Sequence, residues 1–359
     1  MRVAILVKEF PPDIIGGTET QTRRMARALS ERGHEVTVYT KAYGTDRPDD
    51  EEPMEIVRVP NLRLNPFVST LTFVLLATLY LIRDARKYDI LQCMMIYPSG
   101  FVGLVVNRLT GLPYFAWVRG GDFYFMKDTP GKRWMIARVL DDGLVLTQTD
   151  RVSEDVRAEF PDANLKAIYN GVPVPETTAD GDALVFVGRL KEQKGVHNLL
   201  RAAEGLDRPV LIVGDGPERE RLETLAADLD VDAEFVGQVP PTEVPEYLAR
   251  GSVFVLPSIR GEGGTPNAVL EALAVGLPVL VTDTGGMLPT IESEPIGYMV
   301  PPDDVNALRE KLRLLCEDES LRNELAENAR EYVQETHSWD ALVDGLEDVY
   351  DRVIAEQTG

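Results

Sequence analysis

The chain has 359 residues, 44% of them hydrophobic, with a formal net charge of −22 and two cysteines. That length and apolar content exclude a disordered chain and allow two ordinary domains, each with its own core. Cys93 and Cys316 lie far apart, each in an apolar or helical pattern, so both are expected as reduced core residues without a disulfide.

The charge is unevenly spread. Residues 1–170 carry 22 acidic and 22 basic side chains, residues 171–359 carry 37 and 15, and within 58–138 the sign reverses to 11 bases against 4 acids. One reading is a solvated acidic face on the second half. The other is a first half that faces an anionic acceptor or a lipid headgroup layer. There is no basic domain and no interleaving of basic and aromatic residues, so a nucleic-acid partner is not expected.

Strand-like apolar runs alternate with helical patterns from the first residues onward, as in a parallel α/β protein. The first half reads as strands at Val3–Val7, Glu35–Tyr39, Ile56–Val59, Ile90–Cys93, Tyr114–Val118 and Gly143–Thr147. A helix near Thr18–Arg32 ends at Gly33, which suits a left-handed C-terminal cap. The run from Phe67 to Ile82 is short and carries Ser69, Thr70, Thr72 and Thr78, so a buried or surface-docking helix fits better than a membrane span. The N-terminus enters a strand directly, and no secretory leader is read from it. Ala167–Pro175 is rich in turn residues and reads as an interdomain linker.

The pattern then restarts, with strands at Leu184–Val187, Val210–Val213, Glu234–Val236, Val253–Leu256 and Val279–Val281. Helices over Asp304–Cys316, Ser320–Gln334 and Ser338–Ala355 follow without intervening strands and read as packing helices. The expected fold is α/β, with two Rossmann-like doubly wound domains whose strand C-termini face a cleft. The expected bounds are 1–170 and 171–335 for the two Rossmann-like domains and 336–359 for a terminal helix packing back on the first domain.

A nucleotide diphosphate needs cations and backbone amides around its desolvated charge. Arg189 and Lys194, separated by four residues in VFVGRLKEQKG, follow a strand and precede a helix, where both heads can reach one phosphate pair. After Val253–Leu256, a glycine-rich turn opens the helix Asn267–Ala274, and helix N-terminal amides attract anions. Glu262 in that turn is placed to hold sugar hydroxyls, and Glu271, one turn into the helix, to accept from ribose hydroxyls. The loop FPPDIIGGTET carries Gly16 and Gly17 without the G-x-G-x-x-G spacing of a dinucleotide site, which argues against a nicotinamide enzyme. Asp230 and Asp232 have the spacing of a metal pair but fall in a turn beside Asp228, where carboxylates are commonly solvated, so no metal is expected. The three histidines, His34, His197 and His337, read as structural.

In order and spacing these segments resemble the retaining family 4 glycosyltransferases of the GT-B fold (glycosyl transferases group 1), over nearly the whole chain. The resemblance rests on Gly16-Gly17, Asn170-Gly171-Val172, Arg189 with Lys194, Gly214-Asp215-Gly216-Pro217, Phe235-Val236-Gly237 and the two-glutamate loop. It implies that Arg189 and Lys194 neutralise the donor diphosphate, assisted by backbone at Pro266, Asn267 and Ala268 and by neighbouring Gly264 and Thr265. It further implies that Gly16 and Gly17 approach the phosphate, Glu262 orients the transferred sugar and Glu271 grips the ribose. Asn170 is expected at the donor, with Gly214, Gly216 and Val236 flanking the base.

Two departures stand out. Glu262 and Glu271 have one residue more between them than is usual, and Arg119, in Val118-Arg119-Gly120-Gly121-Asp122, occupies the place of a common histidine. Arg119 can donate hydrogen bonds to sugar or phosphate but cannot accept a proton.

With no Ser–His–Asp or Cys–His set, the expected chemistry is a retaining hexosyl transfer. In it the leaving phosphate takes the acceptor's proton, and the protein supplies position and electrostatics. The partners expected are a nucleotide-sugar donor, taken as substrate with no cofactor, and a glycan or lipid-linked acceptor. The setting expected is cytoplasmic, with peripheral contact of the N-terminal domain at the inner face of the membrane. An epimerase of the same architecture and a non-catalytic nucleotide-sugar-binding protein are the competing readings.

Overall fold

The computed structural model describes residues 1–14, 16–43, 52–260, 266–284, 291 and 294–358. The chain divides into two compact units, one of Met1–Gly171 with Trp339–Gly359, the other of Val172–Ser338. Each is built on a wholly parallel sheet.

The first unit has seven strands: β1 (Arg2–Leu6), β2 (Glu35–Lys41), β3 (Glu55–Val59), β4 (Ile90–Cys93), β5 (Tyr114–Val118), β6 (Val145–Thr147) and β7 (Leu165–Ala167). They lie in the order β3-β2-β1-β4-β5-β6-β7. Parallel strands need crossovers, and the crossovers cover both sheet faces, so the central strands are buried throughout: β4 and β5 expose no residue. On one face lie α2 (Pro66–Asp84), α3 (Phe101–Thr110), α5 (Pro130–Leu140) and α6 (Asp150–Glu159). On the other lie α1 (Gly17–Glu31) and the terminal helix α13 (Trp339–Thr358), which puts Leu346, Val349 and Tyr350 against Val3, Ile5 and Phe115. The buried Tyr350 hydroxyl donates to Gln92 Oε1 at 2.8 Å, and Gln357 clamps the start of β5 by accepting from Tyr114 N at 3.0 Å and donating to its carbonyl at 2.9 Å. A short helix, α4 (Gly121–Tyr124), follows β5.

The sequence reading and the structure differ at β7, which takes the first residue of the segment read as linker. Gly171 is pinned, with Gln21 Nε2 donating to its carbonyl at 3.0 Å. A Cβ there would meet the Trp339 ring at 2.6 Å, so the residue at 171 has to be small.

The second unit has six strands: β8 (Ala183–Val187), β9 (Val210–Val213), β10 (Ala233–Gly237), β11 (Gly251–Leu256), β12 (Val279–Thr282) and β13 (Gly297–Val300), in the order β10-β9-β8-β11-β12-β13. Strand β13 was not legible in the sequence. Around the sheet lie α7 (Val196–Ala203), α8 (Arg219–Asp228), α9 (Val244–Leu248), α10 (Asn267–Ala274), α11 (Val305–Glu317) and α12 (Glu319–Thr336). Leu308, Leu312 and Leu315 of α11 and Leu325, Ala329 and Val333 of α12 join the same core as the strands, so these helices close the domain.

Helix α2 is unusual because it is apolar on both faces. Phe73, Ala77 and Leu81 are buried against the sheet, while Phe67, Leu71, Leu75 and Leu79 form a four-residue-spaced stripe on the opposite side, 46–75% exposed. Leu81→Ala is therefore expected to cost about 2–5 kcal/mol in denaturant unfolding. Leu75→Ala is expected to stay within about 0.5 kcal/mol of the parent.

Candidate active site

In the second sheet the order reverses between β8 and β11. Chain segments leaving these neighbouring strands diverge, and such a switch point opens a crevice at the strand C-termini where ligands bind in open α/β sheets. Arg189 and Lys194 both lie in the β8–α7 segment at this point. Arg189 is exposed and its side chain has no hydrogen bond or ion pair to any described residue, whereas Lys194 is half-buried.

The segment carrying them is held from both sides. Ile259 N–H donates to Gln193 C=O at 2.8 Å, joining it to the loop after β11. Gly195 has φ +65°, and a Cβ on it would sit 1.9 Å from the Pro257 carbonyl oxygen, so both conformation and space demand glycine there. From the β9 side, Gly188 N–H donates to Val213 C=O and Leu190 N–H to Asp215 C=O, both at 2.9 Å. Gly214 and Gly216 permit this approach, since Cβ atoms on them would lie 2.0 and 2.3 Å from the carbonyl oxygens of Gly188 and Leu190. Gly214 N–H in turn donates to Gly237 C=O at 2.8 Å, which brings the segment containing Val236 to the same edge. Arg219 of α8 donates to the Phe235 carbonyl at 3.0 Å and steadies that segment, a role not read from the sequence.

Helix α10 starts at Asn267 behind an extended Pro266, with no side-chain cap, so its first turn presents backbone amides. Pro266, Asn267 and Ala268 form that turn, and Glu271 lies one turn further in, half-buried. Glu262, Gly264 and Thr265 lie outside the described residues. The second unit thus brings the loops of Arg189, Lys194, Gly214, Gly216 and Val236 to one edge of its sheet. Asp230, with φ 53°, and Asp232 are exposed in the turn between α8 and β10. Among the described residues no group of three or more His, Cys, Asp or Glu is placed to hold a metal ion.

In the first unit the order reverses between β1 and β4. Gly16 is the extended N-cap of α1, and a Cβ there would meet Glu19 Oε2 at 2.4 Å, whereas Gly17 is the first helical residue with open space around it. The open loop read over both glycines therefore ends at Gly16. Burial raises the Glu19 carboxyl above its usual range. Asn170 is half-buried next to the pinned Gly171.

Arg119 follows β5 and is only 9% exposed. Its guanidinium lies 4.8 Å from the centroid of Trp117. Burial lowers it to about 10, which leaves it charged at neutral pH. Asp122 is also buried and accepts from the backbone N–H groups of Ile96 at 2.6 Å and Arg119 at 2.8 Å. Burial still pushes its carboxyl up to about 6. Both residues line a cavity of about 520 Å³ within this unit. Lys8 and Lys132 line it too and were not singled out from the sequence, although Lys8 follows the first strand directly.

The histidines have packing partners. His34 Nε2 pairs with Glu347 at 2.8 Å, and buried His337 lies 3.2 Å from the Tyr332 hydroxyl. His197 sits half-buried on α7, and burial lowers its basicity.

Two family models match adjoining segments of the chain: Glycosyltransferase Family 4 over residues 15–175 and Glycosyl transferases group 1 over residues 175–332. The chain belongs to the group 1, family 4-like glycosyltransferases. An uncharacterized glycosyltransferase of Methanocaldococcus jannaschii is 26% identical, covering 100% of each chain. Among solved structures, sucrose-phosphate synthase from Thermosynechococcus elongatus superposes with a TM-score of 0.79 at 21% identity, covering 99% of each chain. HepE of Anabaena, solved with UDP and with UDP-glucose, gives 0.79 for the UDP complex at 17% identity, over 98% of this chain and 100% of that one. The fold is the GT-B arrangement of two parallel-sheet α/β domains. Family membership decides for glycosyl transfer over the epimerase and non-catalytic readings.

Gly195→Ala is expected to destabilise the protein by about 1 kcal/mol or more in urea unfolding. The same change should weaken nucleoside diphosphate binding, because the Arg189–Lys194 segment must shift away from Pro257.

Proposed function

We propose that the protein is a retaining glycosyltransferase that moves a hexose-type sugar from a nucleotide-sugar donor to a lipid-linked or cell-surface glycan acceptor. The observation that carries this reading is the pair Arg189 and Lys194 at the switch point of the second sheet, in a segment hydrogen-bonded to the loop that leads to α10. A diphosphate placed there meets two cations and the first-turn amides of a helix. These groups lower the barrier by stabilising charge that grows on the leaving group. The UDP and UDP-glucose complexes of HepE, which shares the fold, support a nucleoside diphosphate donor. Glu271 binds the donor ribose and Glu262 the transferred sugar.

The acceptor hydroxyl attacks the anomeric carbon on the face the diphosphate leaves, and its proton passes to the departing phosphate oxygen. The glycosidic bond forms as the C–O bond to phosphate breaks, with retention of configuration. Charge compensation comes from side chains and amides, with no metal.

The acceptor belongs to the first unit, and the protein works in the cytoplasm at the inner face of the membrane. The exposed stripe Phe67, Leu71, Leu75 and Leu79 supports this, with Arg63 before it and Arg83, Arg86 and Lys87 at its end, as in interfacial helices. The helix is long and apolar enough to cross a bilayer by length and composition. Its opposite face is spent on Phe73, Ala77 and Leu81 packed in the core, so it lies on the membrane.

Thermal-shift screening against nucleotide-sugars identifies the donor, which should raise the melting temperature in proportion to ln(1 + [L]/Kd). With that donor, NMR of the product is expected to show the donor's anomeric configuration, and an inverted product would refute the mechanism. Transfer is expected to continue in EDTA, and its loss with recovery on adding Mg2+ would refute the metal-free reading. Sedimentation with anionic vesicles should fall when Leu71 and Leu75 become Ser, and unchanged binding would remove α2 from the interface.

A further inference from the structure

The cavity of the first unit combines features that point to the acceptor. Arg119 forms part of its wall and is more than nine-tenths buried. Its Nε has no hydrogen-bond partner, and its side chain forms no hydrogen bond or ion pair with any described residue. A buried cation normally has a counter-charge. Asp122 and Glu19 are the acids whose charge favours the guanidinium, but neither forms an ion pair with it, and Asp122 directs its oxygens to the backbone N–H groups of Ile96 and Arg119.

Two further cations line the same cavity. Lys132 Nζ approaches Met126 Sδ at 3.1 Å and the Tyr97 ring at 5.7 Å, neither of them an anion. Lys8 leans toward Glu9 at 3.4 Å. The remaining wall includes Phe67, Tyr97 and Phe125, with Phe67 and Phe125 75% and 79% exposed. Phe67 is also the first residue of the exposed apolar stripe of α2, so the cavity wall runs directly into that stripe.

A floor of three cations, of which only Lys8 forms an ion pair with a described residue, bordered by aromatic rings, suits a molecule with an anionic head and an apolar tail. A nucleoside diphosphate would leave unused the apolar α2 stripe into which the wall runs at Phe67. We propose that this cavity is the acceptor site and that it recognises a phosphorylated lipid whose head group carries the attacking hydroxyl. The phosphate is held by Arg119 with Lys8 and Lys132, and the chain passes along Phe67 and Phe125 toward α2. This rests on the glycosyltransferase reading above and names its acceptor class.

The test is equilibrium binding to the full-length protein with four probes: farnesyl phosphate, farnesol, inorganic phosphate and UDP. Farnesyl phosphate is expected to bind, and Arg119→Gln to weaken it about 10- to 100-fold, as loss of a charge-assisted hydrogen bond does. Arg119→Lys should restore part of that affinity, which a purely structural role for Arg119 would not produce. Lys132→Gln is the second variant, expected to weaken farnesyl phosphate and leave farnesol unchanged even if Arg119→Gln fails to fold.

UDP should bind Arg119→Gln as it binds the parent and should not displace farnesyl phosphate. Displacement by UDP, or loss of UDP affinity in Arg119→Gln, would assign Arg119 to the donor and overturn the proposal. Inorganic phosphate binding as tightly as farnesyl phosphate would mean a soluble phosphorylated acceptor and overturn the lipid assignment. Absence of farnesyl phosphate binding while UDP binds overturns the acceptor site alone. Absence of UDP binding would instead count against a UDP-sugar donor.

Discussion

A leaving diphosphate carries charge that water would otherwise stabilise, and in the proposed reaction the second unit replaces that water. Arg189 and Lys194 can serve that role only if the segment between β8 and α7 is held at the sheet edge against the loop after β11. Three backbone features hold it: the hydrogen bond from Ile259 to Gln193, the approach of Gly195 to Pro257, and the approaches of Gly214 and Gly216 to the carbonyls of Gly188 and Leu190. Each depends on a glycine or a backbone polar group, so the site owes its shape mainly to backbone geometry. Preorganised charge of this kind needs no rearrangement when the transition state forms, which is where its catalytic benefit lies.

The first unit shares the parallel topology but treats charge differently. Arg189 is an exposed cation in a loop, while Arg119 is a buried one stacked on Trp117 with an uncommitted Nε. An exposed cation is solvated when the site is empty. A buried one is held in the charged state at a cost that binding of an anion relieves. The two halves therefore suit different ligands, and the aromatic border of the first-unit cavity, continuous with α2, separates them further. Helix α2 carries the proposed link from fold to setting: one face belongs to the core and the other remains apolar and exposed, as interaction surfaces are.

Much of the architecture was legible because strands covered on both faces read as unbroken apolar runs. β4, β5, β9 and β12 follow this rule, and the sequence placed them to within a residue at either end. β7 and β13 escaped because they are short, at three and four residues, and only partly buried. The basic pair after β8 was legible as a spacing. The hydrogen bonds that hold it are not, because backbone contacts between distant loops leave no pattern in side-chain identity. Burial of Arg119 was equally hidden, since a loop arginine next to Asp122 suggests an ion pair until Asp122 is seen to accept from backbone. The split faces of α2 could not be read either, because both are apolar and no periodicity distinguishes them.

The central claim is that Arg189 and Lys194 hold the donor's diphosphate. Calorimetric titration of the cognate nucleoside diphosphate into the parent and into the Arg189→Ala/Lys194→Ala variant tests it most directly, with circular dichroism confirming that the variant is folded. Affinity is expected to fall by about 100-fold or more, since two charge-assisted contacts are lost. Equal affinity in the two proteins would contradict it.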